Sequence, residues 1–397
     1  MSNSDYSIRR ILEIEACTNC RICAEVCPAV QATGDGNLSG VYRLGRLRTI
    51  LRSRTGLWRR LFGSKDLTEA AWKDFSQTVF RCTLCGACQE ACPSGIHLKE
   101  LWLEARQDLN HSLYYPEKID TIRENLDESH NVFGEDNEER ADWVEECQDP
   151  PESGFCEDTA DIVYFTGCVS SFYPLAQQIP VALAEIFQMA DVNFTLLGQD
   201  EWCCGFPLLG AGLDELTQDF VNHNMEMVGR KAANTVVFSC PSCYRMWQER
   251  YPYQGKFSIA HTTEFLLRLV KENRLKLKGS PMKVTYHDPC DLGRGARQFE
   301  NARLLVQSVP EVELVELEHN RENCHCCGGG GNLEMIDAAL SAKITERKIN
   351  EIVATGAQAV VTSCQQCVRT ITTWVRRNEV PLQVFDITRF IRRALQR

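Results

Sequence analysis

With 397 residues, the chain has room for two or three domains with full hydrophobic cores, so it needs no cysteine staples merely to fold. A formal net charge of −11 argues against nucleic acid as the main partner, and no apolar run approaches the roughly 20 residues that span a bilayer. The 21 cysteines are odd in number and many are spaced C-x-x-C, which suits metal thiolates in a reducing compartment better than a secreted disulfide framework.

The opening stretch, "MSNSDYSIRRILEIEAC", has Arg9 and Arg10, but Glu13 and Glu15 interrupt what an export signal would keep apolar, so the chain reads as cytoplasmic. Between Glu15 and Leu109 lie two similar cysteine runs. "CTNCRICAEVCP" places Cys17, Cys20, Cys23 and Cys27 before Pro28, and "CTLCGACQEACP" places Cys82, Cys85, Cys88 and Cys92 before Pro93. Each matches the C-x2-C-x2-C-x3-C-P run, in which three thiolates hold one cubane and the fourth ligates the other. By that rule Cys17, Cys20, Cys23 and Cys92 hold one [4Fe–4S] cluster, and Cys82, Cys85, Cys88 and Cys27 hold a second. A pair of zinc sites is the competing reading, but zinc has no need of a fourth cysteine followed by proline.

The segment between the runs carries Arg43, Arg46, Arg48, Arg52, Arg54, Arg59, Arg60 and Lys65 with no acid between Asp35 and Asp66. Leu44, Leu47 and Leu51, then Trp58, Leu61 and Phe62, predict an amphipathic helix. Its cationic face is either simply solvated or docks on an acidic or membrane-embedded partner. The long insert predicts a helical two-cluster domain over residues 1–110.

Residues 111–160 are acidic, contain Pro150-Pro151 and show no sustained apolar pattern after Trp143, which predicts a linker. Beyond it, "DIVYFTGC", "VNFTLL" and "NTVVFSCPSC" read as strands, with a helix over "LAQQIPVALAEIFQMA". The pattern then recurs. Cys290, Cys326 and Cys364 follow Cys168, Cys203 and Cys240 at offsets of 122, 123 and 124, so residues 161–278 and 279–397 read as tandem copies of one module with a parallel sheet. The expected class is therefore α+β multidomain, with ligands at the strand ends.

Each module contributes five cysteines: Cys168, Cys203, Cys204, Cys240 and Cys243 in the first, and Cys290, Cys326, Cys327, Cys364 and Cys367 in the second. Five thiolates are one too many for a tetrahedral zinc or a simple cubane. C-x(31 to 39)-C-C-x(35 to 36)-C-x-x-C resembles the cysteine-rich "CCG" domain of heterodisulfide reductase catalytic subunits. Two complete copies after a two-cubane domain resemble the fused form of that enzyme, and the resemblance spans the chain except for the acidic segment.

The resemblance implies a non-cubane four-iron cluster in each five-cysteine set, and so four [4Fe–4S] clusters in all. It further implies that the two non-cubane clusters face one another across a disulfide substrate, cleaved in two one-electron steps while the cubanes relay electrons. Gly205 and Gly328, after the paired cysteines, are expected to let the backbone turn sharply at the cofactor, and the run Gly328 to Gly331 is expected to leave room beside the iron for substrate. His287 and His325 are candidate proton donors to a leaving thiolate. Cys147, Cys156 and Cys324 lie outside the motif.

Similar subunits occur in membrane-bound redox complexes of sulfate reducers. The expected partners are accordingly cytochrome or quinone-reactive membrane subunits and other iron–sulfur subunits, with the chain held peripherally at the inner membrane. The alternative is a non-catalytic electron carrier between a flavoprotein and quinone, like the iron–sulfur subunits of glycolate oxidase or anaerobic glycerol-3-phosphate dehydrogenase. Those relatives typically lack some of the ten module cysteines.

Overall fold

The computed structural model describes residues 6–55 and 68–395. They group into two compact units. One takes the chain through Thr121 together with Pro207–Asp214 and Gly328–Arg347; the other takes Ile122–Phe206, Glu215–Cys327 and Lys348–Arg397. Among the described residues no helix is long and apolar enough to cross a membrane.

The first unit is helical. Helix Glu69–Phe80 starts where the Thr68 hydroxyl accepts from the Ala71 amide, and it buries Trp72, Phe75, Val79 and Phe80 at helical spacing. Helix Leu98–His111 buries Leu101, Trp102, Ala105 and Leu109 in the same manner. Helix Gly40–Thr55 buries Leu44, Leu47 and Ile50, with Leu51 half-buried.

The expected solvated cationic face of that helix is only partly found. Arg43 is buried, with Nε donating to the Thr78 carbonyl (2.8 Å). Arg48 donates to the carbonyls of Ile14 and Cys17, while Arg46 and Arg52 pair with Asp74 and Glu15. These arginines bind their own unit because loop carbonyls and acids lie within reach of their long stems. The side chain of Arg54, and all of Trp58, Arg59, Arg60, Leu61, Phe62 and Lys65, lie outside the described residues.

The second unit holds two four-stranded parallel sheets. The first comprises β1 (Ile162–Phe165), β2 (Phe194–Thr195), β3 (Thr235–Phe238) and β4 (Ser258–His261) in the order β2-β1-β3-β4. The second comprises β5 (Met282–His287), β6 (Val312–Val315), β7 (Ala359–Thr362) and β8 (Gln383–Asp386) in the equivalent order β6-β5-β7-β8. The identical orders are the structural counterpart of the sequence repeat. Val163, Tyr164, Val236 and Val237, like Val360 and Val361, are buried on both faces, as helix-covered parallel strands require. The edge strands β4 and β8 add to the strands expected from the sequence, and β2 is shorter than "VNFTLL".

The segment expected to be a linker is folded. It forms helix Lys118–Ser129 and a 3-10 stretch Asn137–Glu146, and Trp143, Val144, Cys147 and Phe155 join the core around Tyr164, Phe187 and Phe194. Burial within this core pushes the Cys147 thiol up to about 12, which makes it a structural thiol.

Candidate iron–sulfur sites

In the first unit the two cysteine runs exchange their fourth members. One cavity is lined by Cys17, Cys20, Cys23 and Cys92, and another by Cys27, Cys82, Cys85 and Cys88. Short turns place these thiols: Arg21 and Gly86 adopt left-handed backbone before one-turn helices, and Pro28 opens the helix after Cys27. Gly40 separates the cavities; a Cβ there would stand 3.4 Å from the Cys23 Sγ and 3.7 Å from the Cys88 Cβ.

All cysteines are free thiols. Burial, followed by the neighbouring Cys17, Cys20 and Cys92, pushes Cys23 up to about 11. Burial likewise raises Cys27 and Cys88, with Cys82 and Cys85 adding to the effect. Buried thiols crowded by others, as Cys23, Cys27 and Cys88 are, resist ionisation unless a cation joins them, so each donor set fits a thiolate-ligated iron cluster.

Gly328, Gly330 and Gly331, in the glycine run after Cys327, do not leave open space. A Cβ on Gly330 would meet the Thr83 carbonyl oxygen at 2.7 Å, and one on Gly331 would collide with the Cys82 carbonyl oxygen. The missing side chains admit the loop of the second cavity, which corrects the expectation of room for substrate. Gly205 and Gly328 do have the expected positive φ, +89° and +96°. Arg106 fastens the same junction from full burial, donating to the carbonyls of Cys82 (2.7 Å), Gly331 (2.9 Å) and Gly210.

In the second unit the five cysteines of the first module form a continuous chain of contacts, Cys168 to Cys203 to Cys204 to Cys243 to Cys240. Hydrogen bonds from Cys203 and Cys243 pull Cys204 down to about 6, while its neighbours are held up. The acidic segment, folded rather than a linker, frames this set. Arg140 reaches Cys168 Sγ (3.8 Å) and pairs with the buried Glu201 (2.9 Å), whose carboxylate also accepts from the Thr166 and Gly167 amides; Cys203 N donates to the His130 carbonyl.

In the second module Cys367 Sγ lies 3.2 Å from Cys327 Sγ, and its amide donates to Cys364 Sγ. Cys326 is buried beside Cys327, and Cys290 sits half-buried beyond the end of β5. His287 brings a ring nitrogen within 4.8 Å of the Cys327 and Cys367 sulfurs. Its Nδ1 is 3.5 Å from Cys324 Sγ, which also accepts from Lys348 Nζ (3.6 Å), and Lys348 pairs with Glu351 (3.0 Å). His325 turns to Glu351 (3.2 Å) and stacks on His319.

The two sets meet along a seam. Gln365, between Cys364 and Cys367, donates to the Thr166 carbonyl (2.9 Å) and to Ser239 Oγ (2.8 Å), beside Cys168 and Cys240. Ser242, between Cys240 and Cys243, donates to Asp291 next to Cys290 (2.9 Å). Gln365, Arg140 and Lys348 carry no motif of their own, although Gln365 stands between two expected ligands.

Residues 162–248 and 284–372 match the cysteine-rich domain family, and residues 13–96 match the 4Fe-4S dicluster domain family. The chain is 31% identical over 396 residues to one subunit of the dihydromethanophenazine:CoB–CoM heterodisulfide reductase of Methanosarcina mazei, an alignment covering 97% of this chain and 95% of that protein. It is 26% identical over 430 residues to the EtfAB:quinone oxidoreductase of Syntrophomonas wolfei, covering 99% of this chain and 60% of that protein. A probable membrane-anchored ferredoxin of Chromohalobacter salexigens is 25% identical over 386 residues, covering 92% of this chain and 57% of that protein.

Proposed function

We propose, from the premise that this chain belongs to the family of that heterodisulfide reductase subunit, that it reduces a disulfide, or forms one in reverse, where its two five-cysteine sets adjoin. The chain is a 4Fe-4S-binding oxidoreductase subunit. The carrying observation is the seam, where complete sets from both modules are tied together by Gln365 and Ser242.

In this reading Cys17, Cys20, Cys23 and Cys92 hold one cubane, and Cys27, Cys82, Cys85 and Cys88 hold the other. Cys168, Cys203, Cys204, Cys240 and Cys243 hold one non-cubane cluster, and Cys290, Cys326, Cys327, Cys364 and Cys367 hold its counterpart. When bound, these clusters supply one-electron steps and soft iron sites for substrate sulfur. Reduction of the disulfide to two thiols consumes two electrons and two protons.

In this reading His287 gives one of those protons, supported by an Nε2 that is buried without a hydrogen bond among the described residues and by a ring beside the Cys327 and Cys367 sulfurs. His325, held by Glu351, is the second candidate donor. Gln365 Oε1, also buried without a hydrogen bond among the described residues, orients groups entering the seam.

Electrons come from membrane-bound cytochrome or quinone-reactive subunits, or from other iron–sulfur subunits, with the chain resting on the cytoplasmic side of the inner membrane. A second reading, an electron carrier without chemistry of its own, draws on the similarity to the EtfAB:quinone oxidoreductase.

Iron analysis and EPR of the anaerobically purified protein separate the two. The disulfide reading expects about 16 irons, four per cluster, and a new paramagnetic signal when oxidised protein meets a thiol. About eight irons and no thiol-dependent signal would overturn it. Cys203→Ser or Cys326→Ser should abolish disulfide turnover and leave the cubane signals.

A further inference from the structure

Arg43 is one of the largest fully buried side chains of the molecule, 1% exposed. Its Nε donates to the Thr78 carbonyl, and its guanidinium lies over the Trp102 ring, 5.7 Å from the centroid. No carboxylate pairs with it among the described residues, and one terminal nitrogen, NH2, is buried without any hydrogen bond. A guanidinium is always charged, and leaving one dry with a donor unused is unfavourable unless something anionic completes it.

The arginine lines the cavity of Cys27, Cys82, Cys85 and Cys88, and Lys99 stands on the same wall. Arg106, fully buried, adds a cation behind the Cys82 carbonyl (2.7 Å). Among the described residues the cavity of Cys17, Cys20, Cys23 and Cys92 has no fully buried arginine in its lining: Arg21 is exposed to solvent, where its field is screened, and Arg48, which donates to the Cys17 carbonyl, is only half-buried.

We propose that Arg43 is the hydrogen-bond donor and fixed counter-charge of the iron–sulfur cluster held by Cys27, Cys82, Cys85 and Cys88, and that it keeps this cluster at a higher reduction potential than the one held by Cys17, Cys20, Cys23 and Cys92. A buried cation stabilises the reduced, more negative cluster, and a hydrogen bond to cluster or ligand sulfur acts in the same direction. Electrons then run downhill from the exposed-cysteine cavity to the arginine-lined one, whose Cys82–Thr83 loop packs on the glycines following Cys327.

The inference rests on the assignment of those four cysteines to one cluster. Wild-type iron content and two distinguishable cubane EPR signals test that assignment separately, before any variant is made. The test is an EPR-monitored redox titration of the intact chain as wild type, Arg43→Gln and Arg43→Lys. The expected result is that R43Q lowers the potential of one cubane and leaves the other in place, with R43K recovering most of the shift. Equal shifts of both clusters, or none in R43Q with iron intact, would overturn the proposal. Should R43Q lose iron, R43K decides: a small downward shift of one cluster upholds the proposal, and an unshifted pair shows that Arg43 is structural only.

Discussion

Gly331 lies against the carbonyl oxygen of Cys82 so closely that a side chain would have no place, and Gly330 stands in the same relation to Thr83. Gly331→Ala should therefore push the Cys82 loop away rather than merely stiffen a turn. Overpacking at a well-fitted contact costs about 1–3 kcal/mol, and here the obstacle is backbone, which cannot rotate aside. The expected outcome is loss of one cubane EPR signal and about four irons, with the thiol-dependent signal retained.

Glu201 and Arg140 form an ion pair with both partners almost wholly excluded from water. Removing one member of such a pair costs about 3–5 kcal/mol, and Glu201 additionally satisfies the Thr166 and Gly167 amides that lead into Cys168. Glu201→Ala should lower stability by that order in urea unfolding monitored at constant iron occupancy. Asp142→Ala, an exposed acid in the same acidic segment, should change it by less than about 0.5 kcal/mol.

Cys324 is buried and held by His287 and Lys348, outside the contacts that join Cys327, Cys364 and Cys367. Cys324→Ser should retain the full iron complement, whereas Cys326→Ser should lose about four irons. Iron and sulfide analysis of the two purified variants reads this directly.

Asp386 caps the last helix, Ile387–Ala394, with one carboxylate oxygen accepting from Thr388, while Oδ2 is buried without a partner among the described residues. Burial pushes its carboxyl up to about 6 from an ordinary 3.8. The fold therefore favours the protonated acid: this contribution is fully present below about pH 4 and lost as pH rises through 6. Asparagine keeps the capping acceptor without the charge. Asp386→Asn should match wild type near pH 4 and gain up to about 3 kcal/mol above pH 6, since a tenfold change in proton affinity is worth about 1.4 kcal/mol, as read from paired denaturant curves.

Much of this was legible because cysteine spacing is a local property. The runs around Cys17 and Cys82, the ten module cysteines and the strands that lead into Cys168, Cys240, Cys290 and Cys364 could all be read along the chain. The edge strands β4 and β8 could not, since "SIAH" and "QVFD" are short, part-exposed and end in no cysteine. The 111–160 segment concealed its fold because Trp143, Val144 and Cys147 enter the core from a 3-10 stretch, whose spacing follows neither helical nor strand period. Arg43 read as one of many surface charges, and only long-range packing on Thr78 and Trp102 makes it a core residue.

The first unit is discontinuous, and this governs its biosynthesis. Its cysteine runs leave the ribosome early, but Gly328–Arg347 belongs to the same unit and is made near the end of the chain. At about 5–20 residues per second the interval from Cys92 to Gly328 is on the order of tens of seconds. Through that time the thiols around Cys82 have no seat for their loop. Cluster loading into the arginine-lined cavity is thus a late event, and the nascent thiols must be kept reduced until the final stretch is translated.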